Sequence, residues 1–122
     1  MPGSLITPFT LLMDNNGLPT LATPQYSLYN DSIIMTANTR VDVTKPTGAK
    51  FVIFTPDSLT GNLYVNLYGS AVVPSTTTTD GSAPTLNPKS AYIGAPAGSP
   101  YYCTTISMIS PIAMKVILSY YV

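Results

Sequence analysis

The sequence predicts an all-β, antiparallel fold, and three observations carry that prediction. Twelve prolines and eight glycines are spread through 122 residues at short intervals, which leaves few windows long enough for a helix of about 10–12 residues. Between them lie short runs rich in Val, Ile, Thr, Tyr and Phe, the residue types that suit a pleated, half-buried surface. Several of those runs alternate apolar and polar residues, so that side chains two apart share a face. The length fits a single domain, and a hydrophobic content of 45% supplies one core.

Residues 1–30 are spaced by Pro and Gly and contain one short strand pattern, Phe9 to Met13, closed by a turn at Asp14-Asn15-Asn16-Gly17. They are expected to form an extended N-terminal arm, with residues 31–122 as the β domain. Within that domain Met35 to Val43 reads as one strand, placing Met35, Ala37, Thr39, Val41 and Val43 on one face. Lys45-Pro46-Thr47-Gly48 turns the chain into Phe51-Val52-Ile53-Phe54, an apolar run expected in a central strand covered on both faces. Asn62 to Tyr68 alternates again, with Leu63, Val65 and Leu67 inward and Tyr64, Asn66 and Tyr68 outward, and should pair with Phe51–Thr55 as a hairpin. Ser75 to Pro88 carries little apolar material and reads as an exposed loop turning at Asp80-Gly81. Tyr102–Met108 and Met114–Val122, joined at Ser110-Pro111, are expected to form the final hairpin, with Met114, Val116, Leu118, Tyr120 and Val122 on one face.

The residues that are missing bear most directly on function. There is no histidine, glutamate or tryptophan, and the titratable set is five Asp, four Lys, one Arg and Cys103. Proton transfer, metal binding and nucleophile activation draw on paired His, Glu/Asp, Cys and Lys, so the expectation is a protein that is not an enzyme and has neither cofactor nor metal. Cys103 has no histidine to ionise it and reads as a structural cysteine. Asp14, Asp31, Asp42, Asp57 and Asp80 fall mostly in expected turns, where Asp bonds to nearby backbone amides. Asp14-Asn15-Asn16-Gly17 lacks the spacing and terminal glutamate of a calcium loop, and no glycine-rich segment precedes a helix that could hold a phosphate.

A formal charge of zero gives no long-range attraction to nucleic acid or anionic lipid, so neither is an expected partner. The start Met1-Pro2-Gly3-Ser4 has no basic segment followed by an apolar run, and with a single cysteine the expectation is a product of the reducing cytoplasm. With charged residues at 8% the surface resists self-association poorly, which points to a chain made to touch its neighbours. Nine tyrosines supply contact area at low entropic cost; Tyr64, Tyr68, Tyr101 and Tyr102 are the candidates for an oligomer interface. Outward Tyr64 and Tyr68 also suit stacking on sugars, an alternative weakened by the lack of an acidic cluster to read hydroxyls.

From Thr36 onward the chain runs TANTRVDVTKPTGAKFVIFTP, GNLYVNLYGSAVVP, a Thr/Ser loop ending DGSAPTLNP, and TTISMISPIAMKVILSYYV. This order of pieces resembles small virion structural proteins of tailed bacteriophages, of the head decoration or cement type, over about three quarters of the chain. Related sequences tend to carry a glutamate before the Leu-Asn-Pro, where this chain has Thr85. The resemblance implies a β-sandwich or barrel, jelly-roll-like, that trimerises and sits on the capsid exterior, with the major capsid protein as partner. On that reading the arm attaches to the shell through Leu5, Ile6, Phe9, Leu11 and Leu12. A phage neck or tail component and a glycan-binding receptor or adhesin module are the alternatives.

Overall fold

In the computed structural model the described residues are 3–6, 9–10, 23–24, 27–58 and 60–122, with backbone alone at 9–10 and 23–24; Leu11, Leu12 and the turn at 14–17 lie outside them. The strands are β1 (Phe9–Thr10), β2 (Thr23–Pro24), β3 (Tyr29–Met35), β4 (Val41–Thr44), β5 (Phe51–Pro56), β6 (Tyr64–Asn66), β7 (Thr85–Leu86), β8 (Ser90–Tyr92), β9 (Thr105–Ile109) and β10 (Met114–Tyr121). Strands β1 and β2 pair with each other, and the rest form two four-stranded antiparallel sheets, ordered β3-β10-β5-β8 and β4-β9-β6-β7. The described residues contain no helix.

The pairing is nested. β3 pairs with β10, β4 with β9, β5 with β8 and β6 with β7, all antiparallel. The chain is therefore one long two-stranded ribbon whose far end is the β6–β7 connection, wrapped on itself until β10 meets β5 and β9 meets β6. An eight-stranded, two-sheet wrap of this kind is a jelly roll. Wrapping sends each of β3→β4, β4→β5 and β5→β6 across to the opposite sheet, and the pattern recurs from β7 to β10.

The first corner shows how the ribbon turns. Met35 pairs with Met114 and Val41 with Met108, so the chain advances by six residues on each strand and the register is kept through the bend. Midway, the Asn38 amide donates to the Ser110 carbonyl at 2.7 Å, with Asn38 at φ 59°, a left-handed conformation that Asn tolerates better than most residues. The single strand expected over Met35 to Val43 is thus two strands in different sheets, with Ala37 and Thr39 exposed at the corner. Alternation with period two is local and runs on through a bend without marking it.

Both expected hairpins are corrected for the same reason. β5 lies between β10 and β8, while β6 belongs to the other sheet; β9 and β10 likewise lie in opposite sheets, and Ser110-Pro111 marks a corner. The expected faces nonetheless hold: Leu63 and Val65 are buried with Leu67 against them, and Met114, Val116, Leu118 and Tyr120 are buried from β10. β5 is central in its ladder but covered on one face, since Val52 and Phe54 are buried and Phe51 is exposed. The loop after β6 is exposed over most of 75–88 as expected, yet β7 forms within it. The Asp80-Gly81 turn is present, with Gly81 at φ 87°.

The core between the sheets is made of Met35, Val52, Phe54, Leu63, Val65, Ile93, Ile106, Met108, Val116, Leu118 and Tyr120, together with Cys103. Tyr29 meets Tyr120 edge to face at 5.6 Å. Residues 3–6 lie against the domain: Ser4 bridges Leu28, Ile6 bridges Tyr121 and accepts a hydrogen bond from the Val122 amide at 2.9 Å, and Leu5 packs on the core. A side chain on Gly3 would meet the Leu28 carbonyl, so this close approach requires glycine. Strand β3 begins at Tyr29, two residues before the domain boundary expected at residue 31.

Candidate functional site: exposed apolar and tyrosine surfaces

The outward face of the β3-β10-β5-β8 sheet is built by alternation. Asn30, Ser32 and Ile34 point out from β3, Lys115, Ile117 and Ser119 from β10, Phe51, Ile53 and Thr55 from β5, and Ser90 and Tyr92 from β8. Cross-strand register places Ile117 between Ser32 and Thr55, and Phe51 opposite Tyr92 with ring centroids 5.4 Å apart. Ile34 is 74% exposed, and Phe51, Tyr92 and Ile117 are exposed as well. Lys115 is the one charged side chain that these strands direct outward. Sequence reasoning passed over this face, although the i, i+2 spacing of Phe51 with Ile53 and of Lys115 with Ile117 marks it once β5 and β10 are known to be neighbours.

A second exposed surface gathers three of the four candidate tyrosines. Tyr68 follows β6, and Tyr101 and Tyr102 follow a turn in which the Ser99 amide donates to the Pro96 carbonyl and the Tyr102 amide to the Ser99 carbonyl, both at 3.1 Å. Tyr68 and Tyr101 meet edge to face at 6.3 Å, and Tyr102 lines a recess of about 310 Å³ with Tyr68, Asp42 and Thr105. They are 58%, 65% and 45% exposed, respectively. Tyr64 stands apart, half-buried on β6 opposite Leu86 and Ile109. Of the candidate arm residues, Leu5 and Ile6 are half-buried against the β domain and Phe9 lies in β1.

A third feature is a groove of about 840 Å³ on the side of the sandwich where β7 and β8 are edge strands. Phe54, Val65 and Ala91 form its apolar depth; Asn66, Tyr68, Ser70, Asp80, Thr85 and Ser90 contribute polar groups. Asp80 accepts hydrogen bonds from the Ser82 hydroxyl at 2.6 Å and the Ser82 amide at 3.0 Å, and these bonds hold its carboxyl below the usual carboxylate range.

The remaining titratable groups are structural in placement. Cys103 is buried, and burial pushes its thiol up despite a contact with the Thr105 carbonyl at 3.5 Å. The Tyr120 hydroxyl is buried beside the Asp31 carboxylate, outside strict hydrogen-bond geometry, and burial together with that negative charge pushes its phenol far above the ordinary value. Asp57 accepts the Lys115 amide at 2.9 Å, and Arg40 pairs with Asp42 at 3.4 Å on the surface. Among the described residues no three His, Cys, Asp or Glu side chains come together as a metal site. No family model, curated protein or solved structure matches this chain.

Proposed function

We propose that the protein is a non-enzymatic structural component of a phage virion, a capsid decoration or cement protein that binds the outside of the head as a homotrimer. The observation that carries this reading is the outward face of the β3-β10-β5-β8 sheet. It leaves Ile34, Phe51, Tyr92 and Ile117 in water with Lys115 as its strands' sole outward charge. Exposed apolar side chains set among uncharged polar ones on a small domain suit an interaction surface, and a neutral chain meets little repulsion as copies approach. The resemblance of residues 36–122 to head decoration proteins names the assembly. A clip that binds only the expanded lattice stabilises that state by mass action, which requires no chemistry.

The test is sedimentation of the purified chain at micromolar concentration, followed by electron microscopy of virions from the encoding phage. A trimer in solution and trimeric density on the head are expected, and Ile34→Lys with Ile117→Lys should abolish both. A strictly monomeric chain that is missing from purified heads would sink the reading, and density at the neck or tail would move it there. Removal of residues 1–24 tests the arm: it takes away the Leu5 contact with the core and the Ile6–Val122 hydrogen bond. The expected product is a folded, less stable β domain that no longer binds heads. Binding at full occupancy would place attachment elsewhere.

A further inference from the structure

We infer that the groove between the β7 and β8 edges is a binding site for a neutral saccharide, with Tyr68 as its stacking wall and Asp80 as its hydroxyl reader. The inference stands on the groove alone and is independent of attachment to a shell. The sequence argument against sugars was the lack of an acidic cluster to read hydroxyls. The fold supplies no cluster but brings one carboxylate, Asp80, to the same groove as Tyr68, twelve residues earlier.

The groove has the size of a small-molecule site, which typically falls between about 300 and 1,000 Å³. Its composition suits the two-sided chemistry of a pyranose, which has apolar C–H faces and a rim of hydroxyls. The Tyr68 ring is 58% exposed and meets Tyr101 in a T-shaped contact, so a steadied, largely exposed aromatic ring lines the groove. Asp80 is oriented by two hydrogen bonds from Ser82, both to Oδ1, and its other oxygen remains to accept from a pair of ligand hydroxyls. The Asn66 side-chain Oδ1 accepts from the Tyr68 amide at 2.9 Å, which fixes the side chain at the groove lining. The hydroxyls of Ser70 and Thr85 make no hydrogen bond among the described residues and complete the set of donors and acceptors.

Charge selects the class of sugar. Among the described residues Asp80 is the one charged member of the lining, and no Lys or Arg joins it; an acidic sugar or a phosphate would meet a like charge with no counter-charge. An extended peptide is served poorly, since β7 offers two residues and β8 three for strand addition.

The test is nuclear magnetic resonance titration of the isotope-labelled full chain with methyl glycosides of glucose, galactose, mannose and N-acetylglucosamine, and with sialic acid as the anionic control. At least one neutral glycoside should bind in the millimolar range, a few kcal/mol of affinity being typical of so small a contact. Its shift changes should fall on residues 66–70, 80–85 and 90–91, with none from sialic acid. Asp80→Asn and Tyr68→Ala, both at exposed positions, should each weaken binding by about tenfold or more. Saturable shifts mapped in the unmodified chain keep the test independent of either variant's folding. No response to any neutral glycoside at tens of millimolar, or a response centred outside the groove, overturns the assignment, as does an Asp80→Asn variant that binds as well as the original.

Discussion

The two sheets share an inner core but differ in what lies over their outer faces. On β9, the outward Ser107 and Ile109 are as buried as the inward Ile106 and Met108. At Ser107 the cause is the loop after β6, whose buried Ala71 donates its amide to the Ser107 hydroxyl at 2.9 Å. On β10, the outward Lys115 and Ile117 lie in water. The outer side of β9 is thus covered by its own chain, while Ile34 and Ile117 on the other sheet stay exposed; Tyr121, also outward on β10, is buried near the Ile6 bridge. The difference teaches where to look for partners: a covered face contributes to stability, and an open apolar face remains available for assembly.

The sharpest way to break this comparison is to truncate neighbours on one strand. Leu118→Ala, in the core, should cost about 2–5 kcal/mol in urea unfolding, as a lost side chain leaves a cavity. Ile117→Ala, one residue away and about one-third exposed, should cost about 1 kcal/mol in the isolated monomer, well below the core value. Equal losses would mean that the outer face is already covered in solution.

Next in size is the hydrogen bond that closes the covered face. Ser107→Ala strands the buried Ala71 amide and should cost about 1–3 kcal/mol, whereas Ser119→Ala on the open face removes only an exposed bond to Asn30 and should cost far less. Faster amide exchange at Ala71 in the first variant is the accompanying signature.

A smaller effect, of opposite sign, concerns the shared core. Tyr120→Phe removes a buried hydroxyl that meets no strict hydrogen-bond geometry and lies beside the Asp31 carboxylate, and should raise stability by up to about 1 kcal/mol. It also bears on pH. The Tyr120 pKa is raised in the folded state, so its contribution is fully present below the unfolded value near 10 and fades as pH rises from there toward the folded value. Alkaline unfolding curves should therefore be flatter for Tyr120→Phe than for the original chain; superimposable curves would deny the shift.

The smallest effect is expected at Asp80. Its pKa is lowered by Ser82, so the Asp80–Ser82 turn is fully present above the unfolded carboxylate value and is lost as pH falls through the folded one. Because Asp80 is fully exposed, Asp80→Asn should leave the melting temperature almost unchanged at neutral pH, and a large drop would show that the turn supports the sandwich.

Much of the strand content and most inward positions were legible in the sequence because alternation is a property of a few consecutive residues. Leu63 with Val65, and Met114 through Tyr120, follow from period two alone. Asp80-Gly81 was legible for a similar reason, as a turn held by atoms two residues apart. The candidate tyrosines were less so: the exposure of Tyr68 follows from strand phase, but Tyr102, expected to start a strand, lies in a turn before β9, and the separation of Tyr64 from the others depends on which strand lies beside β6.

What only the tertiary structure decided is partnership. A short connection makes a hairpin the cheapest closure in chain entropy, which favoured β5 with β6 and β9 with β10. The ribbon instead pairs β3 with β10 across most of the domain, because that wrap lets Val52, Phe54, Leu63, Val65, Ile106, Met108, Val116 and Leu118 face one another across two sheets. Burial of that shared surface outweighs the longer loops, whose entropic cost grows only logarithmically with length. The same wrap leaves Ile34 and Ile117 in water, brings Asp80 to Tyr68 and lays Ala71 on Ser107. Composition and alternation determined that this chain would be a β domain with few charges and two-faced strands; long-range pairing decided which of those faces were left for a partner.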